Sequence, residues 1–148
     1  MQLSLTQQHY IETIYELTLE HGHAHVKEIA DKMGIRMASV TEAVRNLAEQ
    51  GLVNHKARRA VTLTKEGESI AKELDQRHSI LADFIHSVMG STSARAEQLA
   101  CEIEHVVDMP FMARLSAFIE FMRSEHKDVV DEFKKRYGAP DTKETKKK

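Results

Sequence analysis

The strongest constraint on the fold lies between residues 26 and 53, in "VKEIADKMGIRMASVTEAVRNLAEQGLV". Two short amphipathic helical patterns are separated by "MGIR", and an extended segment follows. The first pattern, 26–34, stops at Gly34, a residue that tolerates the backbone a tight turn demands. The second, 36–51, carries Val40, Val44 and Leu47 on one face and stops at Gly51. A helix, a tight turn and a second helix offer one amphipathic helix to a groove.

The flanking sequence extends this pattern. Tyr10, Ile11, Ile14 and Leu17 recur at helical spacing over 6–20, and Gly22 is placed to cap that helix. Residues 52–64 change period. Leu52 and Val53 open the stretch, and Val61 and Leu63 close it by alternation, which predicts a β-hairpin with the basic tip "HKARR". A long helix is expected over 65–90, with Ile70, Leu74, Leu81, Phe84, Ile85 and Val88 on a broad stripe. Further helices are expected over 92–108, over 110–123 with Pro110 in the first turn, and over 126–138. The fold class is mainly α: an N-terminal winged helix-turn-helix (1–64), then an all-helical unit (65–140), then a disordered basic tail (141–148).

Composition excludes several classes. The 148 residues are 41% hydrophobic, enough for a globular chain, and carry a formal charge of −2, so no global basic field marks a nucleic-acid binder. Local charge is the better guide. The helix after "MGIR" presents Arg36, Ser39, Thr41, Glu42, Arg45 and Asn46, able to read base edges or grip phosphates. Lys56, Arg58 and Arg59 at the hairpin tip suit the backbone or the minor groove. Glu42 would accept from cytosine or stand off the phosphates. No apolar run approaches the roughly 20 residues that span a bilayer, the start lacks a signal-peptide pattern, and a single cysteine permits no intrachain disulfide. The expected location is the cytoplasm.

That cysteine sits in "CEIEH", residues 101–105. On a continuous helix Cys101, Glu104 and His105 share a face, which suits either a metal or an ordinary amphipathic helix. "HYIE" sets His9 and Glu12 one turn apart, and "DQRHSIL" sets His78 beside the apolar stripe. Each has a plain alternative as a surface or core residue. The histidines of "HGHAH" (21–25) read as exposed loop residues. No nucleophile elbow, phosphate loop or HExxH is present, and an enzyme is not expected.

The stretches "HYIETIYEL", 26–53, "LTKEG", "RHSILADF" and "ACEIEHVVD" together resemble the DtxR/MntR family of metal-dependent transcriptional repressors, from near residue 6 to about 125. The length is similar to that of two-domain members without an SH3-like domain. The resemblance implies a regulatory metal site of His9, Glu12, His78, Cys101, Glu104 and His105, an operator of pseudo-palindromic double-stranded DNA, and a homodimer built on the helical unit. Leu81, Phe84, Ile85 and Val88, with parts of 111–122, are the candidate dimer surface. The ligand set is a hybrid: Glu12 matches the manganese-sensing branch and Cys101 the iron-sensing branch. The family's ancillary site places an acid four residues after the long-helix histidine, where this chain has Ala82. Asp83 is rotated by roughly 100° from that position, and Glu97 stands where the iron branch has histidine. A thiolate favours Fe(II), with Mn(II) the alternative, and Co(II) or Zn(II) are expected to bind in vitro. A metal-blind winged-helix regulator responding to a small molecule is the competing expectation.

Overall fold

The computed structural model describes residues 3–55 and 60–137, and the chain divides after Asp75 into two compact units. The expected basic tail and the hairpin-tip residues Lys56, Arg58 and Arg59 lie outside the described residues.

The first unit begins with α1 (Leu5–His21). Ser4 caps it reciprocally: its Oγ accepts the Gln7 N–H at 3.3 Å, and Gln7 Oε1 accepts the Ser4 N–H at 2.9 Å. Gly22 ends it at φ 78°, left-handed backbone that favours glycine. Helix α2 (Val26–Met33) ends at Gly34 in the same way, at φ 67°. Helix α3 (Met37–Glu49) follows after the short turn. The apolar faces read from the sequence meet in one core, where Ile11, Ile14, Ile29, Val40, Val44, Leu47, Leu52 and Val61 are fully buried. Lys32 of α2 pairs with Glu16 and Glu20 of α1, each at 3.0 Å, over the exposed edge of that contact.

The hairpin is shorter than expected. Strands β1 (Val53–Asn54) and β2 (Thr62–Leu63) pair antiparallel, Val53 with Leu63 and Asn54 with Thr62. A further bridge joins Val61 to Ala24, in the loop between α1 and α2.

Helix α4 (Lys65–Asp83) starts at a closely packed corner. The Thr64 hydroxyl donates to the Gly51 carbonyl at 2.7 Å and accepts the Gly67 N–H at 3.1 Å, while the Thr64 N–H reaches the Leu52 carbonyl at 3.0 Å. A Cβ on Gly67 would lie 2.0 Å from the Leu52 oxygen, so only glycine fits there.

The long helix expected over 65–90 changes character at its end: Phe84–Val88 form a π turn. After it come α5 (Ser93–Ile103), α6 (Met109–Ser124) and α7 (Lys127–Tyr137). The helix expected over 92–108 stops at Ile103. Asp108 must be extended (φ −102°, ψ 162°) for its carboxylate to cap α6 through the Phe111 N–H at 2.8 Å, so the chain leaves α5 before reaching it. The second unit has two small cores, one of Leu81, Ala82, Ala100 and Met112, the other of Val88, Ile119 and Val130. Leu81, Ile85 and Val88, expected on a dimer surface, are therefore interior to this chain. Exposed apolar residues of this unit include Phe111, Phe118 and Phe121 on α6 and Val129, Phe133 and Tyr137 on α7, with Met89 and Val106 between helices.

Gly67→Ala should lower stability by about 3 kcal/mol, the upper end of the cost of overpacking, because the obstacle is backbone that a side-chain rotation cannot clear. A urea unfolding midpoint within error of the wild type would contradict the close approach at Leu52.

Candidate metal centre and nucleic-acid interface

The second unit gathers its metal-ligand side chains around His78, on α4. Its Nδ1 lies 2.7 Å from Glu104 Oε2, and its Nε2 lies 2.7 Å from Glu97 Oε2. Glu104 is 2% exposed, the only charged residue in the buried set among the described residues. Its other carboxylate oxygen is 3.4 Å from His105 Nε2. Its backbone carbonyl accepts from the Arg77 guanidinium at 3.4 Å.

These distances set the protonation. The hydrogen bond to Glu104 pushes the His78 pKa up to about 9; burial opposes it, and the hydrogen bond to Glu97 and the two carboxylate charges add to it. In the metal-free protein His78 is an imidazolium donating from both ring nitrogens at neutral pH. A divalent cation held by Glu104 would supply the same positive charge to that carboxylate. The buried acid requires a cationic neighbour, and imidazole and carboxylate donors of the kind that hold divalent cations lie beside it.

The sequence-derived ligands are distributed as follows. His78, Glu104 and His105 come together. His9 and Glu12 are half-buried, one turn apart on α1 in the first unit. Cys101 is exposed on α5. It does not share one continuous helical face with Glu104 and His105, because α5 ends between them and Glu104 serves as its cap residue. Glu97 joins His78 directly, a stronger role than the sequence suggested. The signal was present: Glu97 and Glu104 are seven residues apart, two turns along the same stripe. Asp83 lines a shallow pocket of about 310 Å³ with His78, Ala82, His86 and Glu97. It is engaged by Arg123, which also donates to Ser87.

The candidate nucleic-acid face lies on α3. Arg36, the α3 N-cap residue, and Ser39, Thr41, Glu42, Arg45 and Asn46 are all exposed, while Val40, Val44 and Leu47 anchor the opposite face. The Thr41 hydroxyl donates to the Met37 carbonyl at 2.9 Å, which leaves its methyl and lone pairs outward. Ile35 and Met37, which the sequence reading passed over, are 38% and 52% exposed at the start of α3. Apolar side chains there suit thymine methyl groups.

A winged helix-turn-helix joined to a helical unit with a carboxylate–imidazole cluster defines a metal-responsive DNA-binding regulator. Comparison with known proteins agrees. Residues 2–61 match the profile of the iron-dependent repressor N-terminal DNA-binding domain, and residues 64–129 match that of the iron-dependent repressor metal-binding and dimerisation domain. The HTH-type transcriptional regulator MntR of Lysinibacillus sphaericus is 32% identical over 121 residues, 82% of this chain and 86% of that protein. A manganese-dependent transcriptional repressor solved with manganese superposes with a TM-score of 0.68 at 32% identity, over 78% of this chain and 53% of its own. The manganese regulator SloR gives 0.67 at 29% identity, over 78% of this chain and 54% of its own. The chain thus spans about half the length of these two solved structures. It belongs to the iron-dependent-repressor (DtxR/MntR) family and is a metal-dependent transcriptional repressor that binds DNA as a homodimer. No helix among the described residues is long and apolar enough to cross a membrane.

In metal-free protein the His78 ring should titrate near pH 9 by NMR. An imidazolium favoured by the fold stabilises it fully below the unfolded-state value near 6.5, and that stability is lost as pH rises through about 9. The unfolding midpoint should therefore fall across this window. A His78 titration near 6.5 would refute the pairing with Glu104 and Glu97.

Proposed function

We propose that this repressor answers to Mn(II), through a ligand set of His78, Glu104 and His105 with Glu97, joined by His9 and Glu12 of α1. The observation that carries the reading is the His78 cluster, where two carboxylates converge on the ring. Oxygen-rich donors suit Mn(II), and the similar proteins are named for manganese. His9 and Glu12 enter on the family likeness.

Fe(II) is the second reading, favoured by Cys101 itself. A thiolate ligand moves preference from Mn(II) toward Fe(II). Anaerobic Co(II) titration separates the two. Wild-type absorbance without a thiolate charge-transfer band supports Mn(II). A band that disappears in Cys101→Ser supports Fe(II).

Regulation follows from linkage. Metal and operator DNA favour the same conformations, so each strengthens the other's binding by the same factor. The residues perform two tasks. Glu104 and Glu97 hold positive charge at His78, and His78 must give up its proton when a cation takes that place, which makes metal affinity depend on pH. The α3 face and the hairpin tip then address the operator: Arg45 and Asn46 at base edges or phosphates, Arg36, Ser39, Thr41 and Glu42 around them, and Lys56, Arg58 and Arg59 on the flanking backbone. The operator is pseudo-palindromic because the two recognition helices of a dimer read equivalent half-sites. Phe111, Phe118 and Phe121 are the apolar surface offered to the partner.

Mn(II) should raise operator affinity by roughly 5- to 150-fold, the usual range of such coupling, and chelator should reverse it. Glu104→Ala should abolish this response while leaving the metal-free affinity. Chelator-insensitive operator binding by the wild type would sink the metal-sensor reading in favour of a metal-blind regulator. Metal affinity should also climb between pH 6 and 9 as His78 releases its proton.

Arg45→Ala should weaken operator binding by about 1–3 kcal/mol. Relaxed sequence preference with an unchanged salt slope identifies a base contact. A salt slope smaller by about one identifies a phosphate contact. An unchanged affinity removes Arg45 from the interface.

A further inference from the structure

The loop between α1 and α2 reads "GHAH" (22–25) and runs directly into "VKE" of α2. Its third residue, Ala24, is fully buried, and its carbonyl accepts the Val61 N–H at 2.7 Å in an isolated antiparallel bridge. In extended backbone successive side chains point to opposite faces. With Ala24 turned inward, His23 and His25 both turn outward. Their rings meet edge to face, with centroids 4.8 Å apart and planes at 67°.

A third donor arrives through helix capping. His25 is the α2 N-cap, extended at φ −109° and ψ 151°. The Glu28 carboxylate folds back to accept its N–H at 2.8 Å. One ligand atom from each of His23, His25 and Glu28 then lies within 4.8 Å of the other two. Each constraint is backbone in origin: a strand bridge, its alternation and a helix cap. The three donors are thus brought together by the fold of the segment, and only small side-chain motions separate them from a shared ligand.

We propose that His23, His25 and Glu28 form a second metal site, for Zn(II), built wholly within the N-terminal unit. Two imidazoles and one carboxylate, with positions left for water, are a recurrent Zn(II) set. The imidazole majority and the order of divalent affinities favour Zn(II) over Mn(II) here. The site pins the entrance of α2 and, through the Ala24–Val61 bridge, the start of β2. Zn(II) therefore stabilises the unit that reads DNA without occupying the carboxylate-rich cluster around His78.

The test is Zn(II) titration of the full chain against a competing chromophoric chelator, in wild type, His23→Gln and Glu28→Gln, with helix content followed by circular dichroism. His23→Gln should lose one Zn(II) equivalent per chain, while Mn(II) occupancy measured by electron paramagnetic resonance stays unchanged. Glu28→Gln keeps an oxygen for the His25 N–H but removes the charge, so the same phase should weaken with helix content intact. Equal equivalents and affinities in all three proteins overturn the proposal. Mn(II) occupancy lost together with Zn(II) in His23→Gln also overturns it, because the residues then serve one common centre. Imidazole nitrogen resonances supply a check that needs no variant: in the wild type those of His23 and His25 should shift with Zn(II), and unmoved resonances refute the site.

Discussion

A carboxylate removed from water needs a positive partner, and the C-terminal unit is arranged around that need. Glu104 is 2% exposed and reaches His78 at 2.7 Å and His105 at 3.4 Å. Stranding such a charge by deleting a partner costs about 3–5 kcal/mol, so the charge near Glu104 is conserved even when its carrier changes. A proton on His78 is one carrier, and a divalent cation at the proposed site would be another. With His78 protonated the unit is already folded around a positive charge, and at the proposed site binding would exchange one cation for another. On the proposed reading the cluster is ordered before the signal arrives, and the ion must compete with the His78 proton.

Much of this arrangement was legible in the sequence because it rests on local rules. Gly22 and Gly34 end helices for reasons visible in any chain, and Val40, Val44 and Leu47 repeat at the helical period and are all buried. What escaped depended on competition between neighbouring elements. "CEIEH" reads as one helical face until the demand of α6 for an extended cap at Asp108 is weighed, and that demand ends α5 at Ile103. Cys101 then stays exposed while Glu104 turns inward. The stripe from Leu81 to Val88 was ambiguous for another reason. Periodicity identifies an apolar face but not what covers it, and here the chain's own α5, α6 and α7 residues cover it.

The histidines of "HGHAH" show the same limit from the other side. Read by composition, they are polar residues in a loop. The geometry of His23 and His25 comes from Val61, some forty residues later, whose bridge to Ala24 turns both imidazoles outward. A contact that distant in sequence leaves no periodic trace.

The hairpin depends on similar outside help. Two paired residues on each strand are far fewer than an isolated hairpin requires. Its ends are instead fixed from without. At one end Thr64 binds the Gly51 carbonyl with its hydroxyl and the Leu52 carbonyl with its N–H, and Gly67 packs against the same Leu52 oxygen. At the other, Ala24 holds Val61. The direction in which the arms leave the core is thereby set by α4 and by the loop before α2, not by the strand pair. A threonine and a glycine outside the short ladder thus fix where its arms begin.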